Sequence, residues 1–474
     1  MNRFFIIFMI AFALPGFRSF AQLNFIKHPI DENFDGAWAA YRVDLDRDND
    51  MDILASASDG YDIAWYENDG SQVFTKHIID DNFVFAEYLF AIDLDGDEDI
   101  DFVAGSSSYP AGGIFGDLAW YENDGSQNFT KRIIDANRNG ANSVFAIDLD
   151  GDSDIDIVSH ESKIDDLLWY ENDGNHNFTR HLIDGNFDNV FYVYAIDLDR
   201  DTDVDVLAAA TDAGQLAWWE NDGSENFTKH IIAAGFAGSA YVDVKDVDRD
   251  NDWDVMGAAF FGHEVAWFEN DGSQNFTKRL IDGNFTGAAS FDAADLDGDS
   301  DLDFLGSAFD ANDVAWWEND GALNFTKHLI DGNFAGANFA MPADLDRDND
   351  LDIISAAFHA DDVAWWENTG PTGITDTNAL LPGDFRLFQN YPNPFNPSTI
   401  IRYSLPHPSN VELTIFNSLG QEIRVLLKER QSPGIHQVQW DGKNQLLKPM
   451  PGGVYLYRLS AGSFTGTGKM ILLK

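Results

Sequence analysis

The chain contains no cysteine and few basic residues, with 29 Lys and Arg against 81 Asp and Glu in 474 residues. The absence of cysteine excludes disulfide bonds, thiolate zinc sites and cysteine nucleophiles, so packing or a bound metal must hold the fold together. The formal net charge of −52 argues against nucleic acid as a partner, because its phosphates would be repelled. Such acidity often accompanies disorder, but 44% hydrophobic and 14% aromatic residues are enough for a packed core.

Long apolar runs are also missing, apart from a short one near the N-terminus. Arg3, the apolar run Phe4–Leu14 and the small-x-small motif Ser19-Phe20-Ala21 are typical of a secretory signal peptide. We therefore expect a signal peptide over residues 1–21 and a mature chain that begins near Gln22; a buried first helix is the alternative. No later stretch approaches the ~20 apolar residues of a membrane-spanning helix, so we expect no transmembrane segment.

The dominant feature is the pattern Asp-x-Asp-x-Asp-x-Asp-x-Asp, which occurs seven times. We call each nine-residue copy a ladder and number its positions 1 to 9. The ladders start 49 residues apart, except for one interval of 55 that holds a predicted loop insertion at Ser106–Gly116. The ladder aspartates are Asp44, Asp46, Asp48, Asp50 and Asp52; Asp93, Asp95, Asp97, Asp99 and Asp101; Asp148, Asp150, Asp152, Asp154 and Asp156; Asp197, Asp199, Asp201, Asp203 and Asp205; Asp246, Asp248, Asp250, Asp252 and Asp254; Asp295, Asp297, Asp299, Asp301 and Asp303; and Asp344, Asp346, Asp348, Asp350 and Asp352.

Each copy predicts four short strands, because alternating apolar segments are separated by turn residues such as Asn-Asp-Gly. In the first copy these strands are Ala37–Leu45, Asp52–Ser58, Ile63–Asn68 and Phe74–Ile79. No segment shows a sustained helical period. The sequence therefore predicts an all-β protein whose residues 22–368 form a seven-bladed β-propeller.

The two ends of the repeat array predict how the ring closes. Residues 24–30 are a lone copy of the fourth strand, whereas the seventh copy stops at Asn368 and lacks that strand. We expect the N-terminal strand to complete the last blade. A linear solenoid would need capping repeats instead, and none is visible.

The ladders have the chemistry of a site for a hard cation. Calcium takes six to eight oxygen ligands at about 2.3–2.6 Å, whereas magnesium demands a stricter octahedron. For the first ladder we expect the side chains of Asp44, Asp46, Asp48 and Asp52 as ligands, with the backbone carbonyl of Asp50. The alternative is a solvated acidic turn, but seven copies in one register favour up to seven Ca²⁺ ions, one per blade, since crowded carboxylates repel one another without a cation.

Position 6 predicts that the seven sites are unequal. Loops of this type favour Gly where the chain turns sharply, and none of the ladders has Gly there. Asn accepts left-handed geometry readily, whereas Glu, Ser and Thr do so at some cost. We expect weaker or distorted sites in ladders two, three, four and six. The residues at position 6 are Asn49, Glu98, Ser153, Thr202, Asn251, Ser300 and Asn349.

Two other groups of residues are functional candidates. A Trp that recurs once per blade is either a sugar-stacking platform or packing between blades, and we favour packing. Catalysis would have to break the sevenfold pattern, and the candidates are His160, Glu161 and Lys163, or His263 with Glu264, both placed in the loop after the second strand. A loop His beside a Glu is usually solvated, so we expect no enzyme. The recurring Trp residues are Trp65, Trp120, Trp169, Trp218, Trp267, Trp316 and Trp365.

The pattern Asp-Leu-Asp-Gly-Asp-x-Asp-x-Asp followed by an apolar strand resembles the FG-GAP/VCBS repeat family, over about Leu23 to Asn368. Members of that family are calcium-binding β-propellers of adhesins, lectin-like proteins and integrin heads. The resemblance implies the ligand assignment given above at the matching aspartates. It leaves the partner open, because the family serves many.

After Thr369 the composition changes, and residues 369–384 read as a linker. Residues 385–474 predict a small antiparallel β-sandwich, with alternating strands such as Val411–Phe416. The box Tyr391–Pro397, the Leu-Gly-Gln-Glu turn and the basic tail resemble the C-terminal type IX secretion sorting domain, which has an immunoglobulin-like fold. That resemblance implies a bacterium with an outer membrane, transit through the periplasm, the type IX secretion machinery as a partner, and release or surface attachment.

These observations lead to a secreted or cell-surface calcium-binding propeller, non-catalytic, that binds a glycan or an extracellular protein. Two alternatives remain open: a propeller-based polysaccharide-degrading enzyme and a structural surface-layer protein.

Overall fold

The computed structural model describes residues 23–108, 115–371 and 385–473, the last range with gaps at 388–389, 391–392, 394, 396, 406, 418–419, 432–433, 446–447 and 463. These residues form two compact units, residues 23–371 and the C-terminal part. Their regular structure is entirely β, and in this part of the chain no helix is long and apolar enough to cross a membrane. The predicted signal peptide and residues 372–384 of the predicted linker lie outside the described residues.

The first unit consists of seven four-stranded sheets, each with antiparallel neighbours. The first strand of the chain, β1 (Leu23–Asp31), belongs to the last blade. Blades 1 to 3 are β2 (Ala37–Val43), β3 (Asp52–Ala57), β4 (Asp62–Asn68) and β5 (Phe74–Asp80); β6 (Ala86–Ile92), β7 (Asp101–Ser106), β8 (Gly116–Asn123) and β9 (Phe129–Arg138); and β10 (Val144–Ile147), β11 (Asp156–Glu161), β12 (Asp166–Asn172) and β13 (Phe178–Asp184).

Blades 4 to 7 repeat the same order, from the inner strand outward. The seventh blade takes only three strands from its own repeat and β1 as its fourth. The strands are β14 (Val190–Ile196), β15 (Asp205–Ala210), β16 (Gln215–Asn221) and β17 (Phe227–Ala234); β18 (Ser239–Lys245), β19 (Asp254–Ala259), β20 (Glu264–Asn270) and β21 (Phe276–Asp282); β22 (Ala288–Ala294), β23 (Asp303–Ala308), β24 (Asp313–Asn319) and β25 (Phe325–Asp331); and β26 (Ala337–Ala343), β27 (Asp352–Ala357) and β28 (Asp362–Pro371).

The ring is closed by β1, which pairs antiparallel with β28 from Leu23 opposite Pro371 to Asp31 opposite Val363. The outer strand of blade 7 therefore comes from the start of the repeat array and the other three strands from its end. Seven four-stranded sheets followed by a C-terminal sandwich confirm the predicted fold class.

The hydrophobic core lies between neighbouring blades. The second strand of every blade is buried along its whole length, and residues such as Leu54 and Trp65 of blade 1 pack with Phe102 of blade 2. Blades 7 and 1 pack in the same way, through Ile354 and Ile53 among others. All seven recurring Trp residues are at most 5% exposed. They serve as packing between blades, and the sugar-stacking interpretation is wrong.

Basic residues of the outer strands hold each blade to its surroundings. His77 stacks on Trp65 with ring centroids 4.6 Å apart and lies 2.7 Å from the Glu67 carboxylate. Lys76 reaches back to Asp31 of blade 7 at 2.7 Å, and Lys–Asp pairs of this kind also join blade 2 to 1, blade 4 to 3 and blade 6 to 5. Basic residues of the outer strands thus link neighbouring blades.

The C-terminal unit is a two-sheet sandwich with one shared core. One sheet has the order β29-β30-β33 and the other β32-β31-β34-β35. Ile401 and Trp440 of the first sheet pack with Leu413 and Tyr457 of the second. The strands are β29 (Arg386–Leu387), β30 (Thr399–Leu405), β31 (Ser409–Asn417), β32 (Glu422–Gln431), β33 (Gly434–Trp440), β34 (Gly453–Ala461) and β35 (Phe464–Leu472).

Candidate metal centres

All seven ladders lie on one face of the ring, which we call the ladder face. Each ladder follows the inner strand of its blade and ends on the first residue of the second strand, as Asp44–Asp52 does between β2 and β3. Because the strands are antiparallel, the turn between the third and fourth strands reaches the same face. The sequence therefore places 35 aspartates on one face of the ring.

Side chains within each ladder accept backbone N–H groups two residues further on. In the first ladder the N–H of Asp48 donates to Asp46 Oδ1 at 3.2 Å, and the N–H of Asp50 donates to Asp48 Oδ1 at 2.7 Å. The same two bonds recur in the other six ladders. These local bonds compete with regular structure and fix the loop.

Ligand-type oxygens converge within the ladders. Carboxylate oxygens of positions 1, 3 and 5 lie within 4.8 Å of one another in ladders one, three and five, those of positions 1, 3 and 9 do so in ladders two and four, and two more such groups occur among the described residues. The aspartate at position 3 is crowded in several ladders: burial and the neighbouring aspartates raise the pKa of Asp46 and Asp248. Crowded, half-buried oxygens of one sign match what calcium takes as ligands.

The first aspartate is the residue whose environment best fits a cation ligand. In five ladders its Oδ1 atom is buried and meets no hydrogen-bond donor among the described residues, which is costly for a carboxylate. In ladders two and three the same atom of Asp93 and Asp148 accepts the N–H of Gly96 and Gly151 at 2.8 Å. An all-oxygen group with a buried, unsatisfied member fits Ca²⁺. The five unsatisfied residues are Asp44, Asp197, Asp246, Asp295 and Asp344.

The ninth aspartate has a different environment from the others. Asp52 is fully buried, and its two oxygens accept the N–H groups of Leu45 at 3.1 Å and Asn68 at 2.8 Å. Equivalent bonds are made in every blade. Burial raises the pKa of Asp52 to about 7 and that of Asp303 to about 8. This residue, predicted only as a ligand, also ties the ladder to the end of the third strand.

The recurring Asn at the end of the third strand is a site residue that the sequence analysis missed. Asn68 Nδ2 donates to the Met51 carbonyl at 3.1 Å, and its Oδ1 accepts the N–H groups of Gly70 and Gln72 at 3.1 Å. The residue is buried, so it braces both the ladder and the adjoining turn. Its signal was a fixed spacing of 24 residues from the first ladder aspartate in six copies, and of 30 in the second copy, which carries the insertion. The residues are Asn68, Asn123, Asn172, Asn221, Asn270, Asn319 and Asn368.

Neighbouring ladders are linked by arginine at position 4. Arg47 lies 3.2 Å from Asp99 of the next ladder, and Arg249 lies 2.9 Å from Asp301. Arg347 pairs in the same way with Asp50, across the closure of the ring. Each of these aspartates occupies position 7, where the sequence predicts only the backbone carbonyl to act.

Both position 4 and position 6 have positive φ in all seven ladders. At position 4, three ladders have Gly and four have Arg, so the permissive glycine lies two residues earlier than expected. At position 6, φ is 70° for Asn49 and 89° for Thr202. A β-branched residue is strained in this region, so the fourth ladder has the least favourable backbone.

We expect Thr202→Asn to stabilise the protein by about 0.5–1 kcal/mol, because Asn tolerates left-handed geometry better than Thr. Thermal unfolding in the presence of a chelator measures this effect without any contribution from metal. The reverse change in the next ladder, Asn251→Thr, should destabilise by a similar amount. Equal melting temperatures for both variants and the parent would contradict the strain at this position.

The first group of catalytic candidates does not form a catalytic cluster. His160 and Glu161 lie in β11, not in the predicted loop after it, and His160 is fully buried. Its Nε2 accepts the N–H of Ser143 at 3.1 Å, and burial lowers its pKa to about 3. Lys163 is exposed. The histidine is therefore a neutral core residue that a substrate cannot reach.

The second group of catalytic candidates, His263 and Glu264, also makes structural contacts. His263 Nδ1 accepts the N–H of Gly287 at 3.1 Å. Glu264 is the first residue of β20 and pairs with Lys278 at 2.7 Å. Neither group brings an acid and a base together in an open cleft.

Comparisons with known proteins agree with this architecture. Residues 93–159, 148–208 and 197–257 match the FG-GAP-like repeat family, and residues 397–463 match the FlgD Ig-like domain. The chain thus carries FG-GAP-like repeats in a repeat β-propeller, followed by an Ig-like domain. No curated protein matches the chain.

Among solved structures, the chain is similar to one titled "Crystal structure of BBS1N in complex with ARL6DN, soaked with lead", at 9% identity and a TM-score of 0.52, over 74% of this chain and 98% of that chain. The corresponding structure soaked with mercury matches at 10% identity with the same TM-score and coverage. PorZ, described as a surface component of the type-IX secretion system of Porphyromonas gingivalis, matches at 12% identity and a TM-score of 0.46, over 95% of this chain and 60% of that chain. At such identities the BBS1N likeness shows the fold alone.

Proposed function

We propose that this protein is a non-catalytic, calcium-binding propeller that is displayed on or released from a bacterial cell surface and binds an extracellular partner. The observation that carries the calcium assignment is the buried, donor-free Oδ1 of the first aspartate in five ladders. Other carboxylates lie beside it, so a cation would relieve both the desolvation and the mutual repulsion.

In ladders one, three and five the side chains at positions 1, 3 and 5 would hold the ion; in the first ladder these are Asp44, Asp46 and Asp48. In ladders two and four the ninth aspartate would take the place of the aspartate at position 5, because its oxygen lies with those of positions 1 and 3. Bound calcium supplies two positive charges per loop and no redox chemistry. The chain's own part is to fix the loop through the hydrogen bonds within the ladder.

Calcium titration in equilibrium dialysis tests the proposal, with up to seven ions bound per chain as the expected result. Asp46→Asn with Asp48→Asn should reduce the number by one, because Asn keeps the oxygen that accepts the backbone N–H but loses the charge. When the free calcium concentration is a hundred times the Kd of one site, binding at that site stabilises the fold by about 2.7 kcal/mol. Glu225→Gln removes a charge from an exposed turn on the same face and should leave the number unchanged. The assignment would be wrong if the parent bound no calcium, or if the double variant bound as many calcium ions as Glu225→Gln.

The C-terminal unit supports export as the second part of the proposal. Its Ig-like fold agrees with the sorting domain that the box Tyr391–Pro397 resembles. Two described residues of the box contact the sandwich: Phe395 packs on Trp440 of β33, and Asn393 Oδ1 accepts the N–H of Ile471 in β35 at 2.8 Å. We propose that this unit engages the type IX secretion machinery after transit through the periplasm, which would place the propeller outside the outer membrane.

A polysaccharide-degrading enzyme and a structural surface-layer protein are the competing functions. The buried His160 and the paired Glu264 give the enzyme no support among the described residues. A structural protein needs no binding pocket, so a ligand-binding measurement separates it from a binding module.

A further inference from the structure

The face of the ring opposite the ladders carries a pocket of about 250 Å³ that breaks the sevenfold pattern. Five aromatic residues line it, and we call it the aromatic pocket. They lie near the start of inner strands or just after second strands, so they gather at the end of the ring remote from the ladders. The aromatic residues are Trp38, Phe191, Phe260, Phe261 and Phe309.

The pattern break is visible at the residue that follows the second strand. Blades 1 to 4 have a small hydroxyl residue there, whereas the three consecutive blades 5 to 7 have Phe. Ring centroids of Phe260 and Phe309 lie 6.1 Å apart, those of Phe309 and Phe358 6.0 Å, and those of Phe358 and Trp38 5.8 Å. The aromatic surface is therefore continuous across the closure of the ring.

Packing of the core does not account for this surface. Phe261 is 60% exposed, although it is a large apolar residue in a tight turn. Contiguous exposed apolar surface on a monomer is a sign of a binding site. The volume lies below the roughly 300–1,000 Å³ of pockets that enclose a whole small molecule, and it suits a single anchoring side chain.

The lining offers few polar groups to a ligand, and the indole N–H of Trp38 is buried without an acceptor among the described residues. Thr211 Oγ1 donates to the Ser239 carbonyl at 3.1 Å, and Asn338 Nδ2 donates to the Trp38 carbonyl at 3.0 Å. Aromatic rings make up most of the lining. The pocket therefore favours a group that binds through ring contacts.

Three exposed aspartates are close to the lining residues in sequence or in the fold, and we call them the flanking aspartates. Asp212 and Asp310 directly follow lining residues, and Asp59 packs against Gly36, two residues before Trp38. All three aspartates are exposed. Together with the net charge of −52, they attract a basic partner and repel an acidic one.

We propose that the aromatic pocket receives an arginine side chain of a basic extracellular protein; this rests on the proposed function as a binding module. A guanidinium group stacks on aromatic rings and is weakly hydrated, which suits an apolar pocket. The flanking aspartates would balance its charge from outside the pocket. Buried arginines of this kind are frequent anchors of protein interfaces.

The test is titration with Nα-acetyl-arginine methylamide, followed by NMR of the full chain in calcium. Nα-acetyl-citrulline methylamide has nearly the same shape without the charge and should not bind measurably. Phe261→Ala and Phe309→Ala should each weaken arginine binding about tenfold, since one cation–ring contact contributes up to about that factor. Asp310→Asn should weaken it less, and mainly at low salt.

Two control variants make the result specific. Phe115→Ala truncates an exposed Phe of the corresponding loop in blade 2, and Glu225→Gln removes a charge from the ladder face. Both should bind the arginine probe like the parent. Phe261 is mostly exposed, so its truncation should leave the melting temperature nearly unchanged and report on binding alone.

Several binding results would contradict the arginine proposal. No arginine binding by the parent, equal citrulline binding, or equal loss in Phe115→Ala would overturn the proposal. Binding on a glycan array that disappears in Phe309→Ala would also overturn it, yet would leave the binding module intact. A chain that binds no calcium but still binds arginine through Phe309 would refute the calcium assignment alone.

Discussion

Deletion of residues 23–31 should destabilise the propeller by about 5 kcal/mol or more, among the largest effects expected of a local change. The deletion exposes the whole edge of β28 and leaves its backbone groups without partners. It also removes the Lys27–Asp362 pair at 2.8 Å and the stacking of His28 on Trp365. Blade 1 loses Asp31, which accepts hydrogen bonds from Tyr66 and Lys76. Urea unfolding of the full and the truncated chain measures the difference.

A synthetic peptide of residues 23–31 provides the control for this prediction. Added to the truncated chain, it should pair with β28 and restore much of the lost stability, in a concentration-dependent way. A scrambled peptide of the same composition should have no effect. An unchanged unfolding midpoint after the deletion would mean that the ring does not depend on β1 for closure.

Arg138→Met should lower the free energy of unfolding by about 3 kcal/mol, because it removes one partner of a buried charge network. Arg138 is 2% exposed at the end of β9 and donates to the His160 carbonyl at 2.8 Å and to Ser159 Oγ at 3.3 Å. Its Nε also lies 3.6 Å from Glu161 Oε1. Without the guanidinium, the Glu161 carboxylate stays buried with less compensation. Thermal unfolding at neutral pH measures the loss.

The matched control is Arg180→Met, since Arg180 contacts the same Glu161 oxygen at 3.0 Å but is largely exposed. It should cost no more than about 1 kcal/mol. Burial alone would raise the pKa of Glu161, but the charge of Arg138 and the hydrogen bonds from Asn139 lower it overall. A depressed pKa stabilises the fold above the ordinary value of 4.5, and this contribution is lost as the pH falls below it. The difference in the free energy of unfolding between Arg138→Met and the parent should therefore become smaller in acid. A difference that grows in acid would show that Arg138 does not stabilise the Glu161 carboxylate.

The fold was predictable because local signals agreed with the repeat. In the first copy, the predicted strands Asp52–Ser58 and Phe74–Ile79 differ by one residue from β3 and β5. Alternating apolar residues define the strands, and Asp-Gly turns separate them. The second strand of the third copy was harder to predict, because His160 and Glu161 are polar residues of the kind found in loops. Their burial depends on the contacts with Arg138, which the local sequence does not reveal.

The ladder was predictable as a cluster of carboxylates, but the separate roles of its members were not. The role of Asp52 depends on the N–H of Asn68, 16 residues further on, and on the hairpin that brings it back. The pairing of Arg249 with Asp301 spans 52 residues and exists only because the blades stand side by side. Such contacts follow from the geometry of the ring, which no local pattern of residues contains.

The pairing of β1 with β28 also determines the order in which the propeller can fold. Asn24 and Thr369, which hydrogen-bond to one another, are 345 positions apart, so blade 7 must wait until the whole repeat array has been synthesised. Contacts this distant in sequence form slowly. Until they form, two unpaired strand edges are available, and β1 of one chain can complete blade 7 of another. Dilute conditions during refolding should therefore favour closed single rings over exchanged dimers.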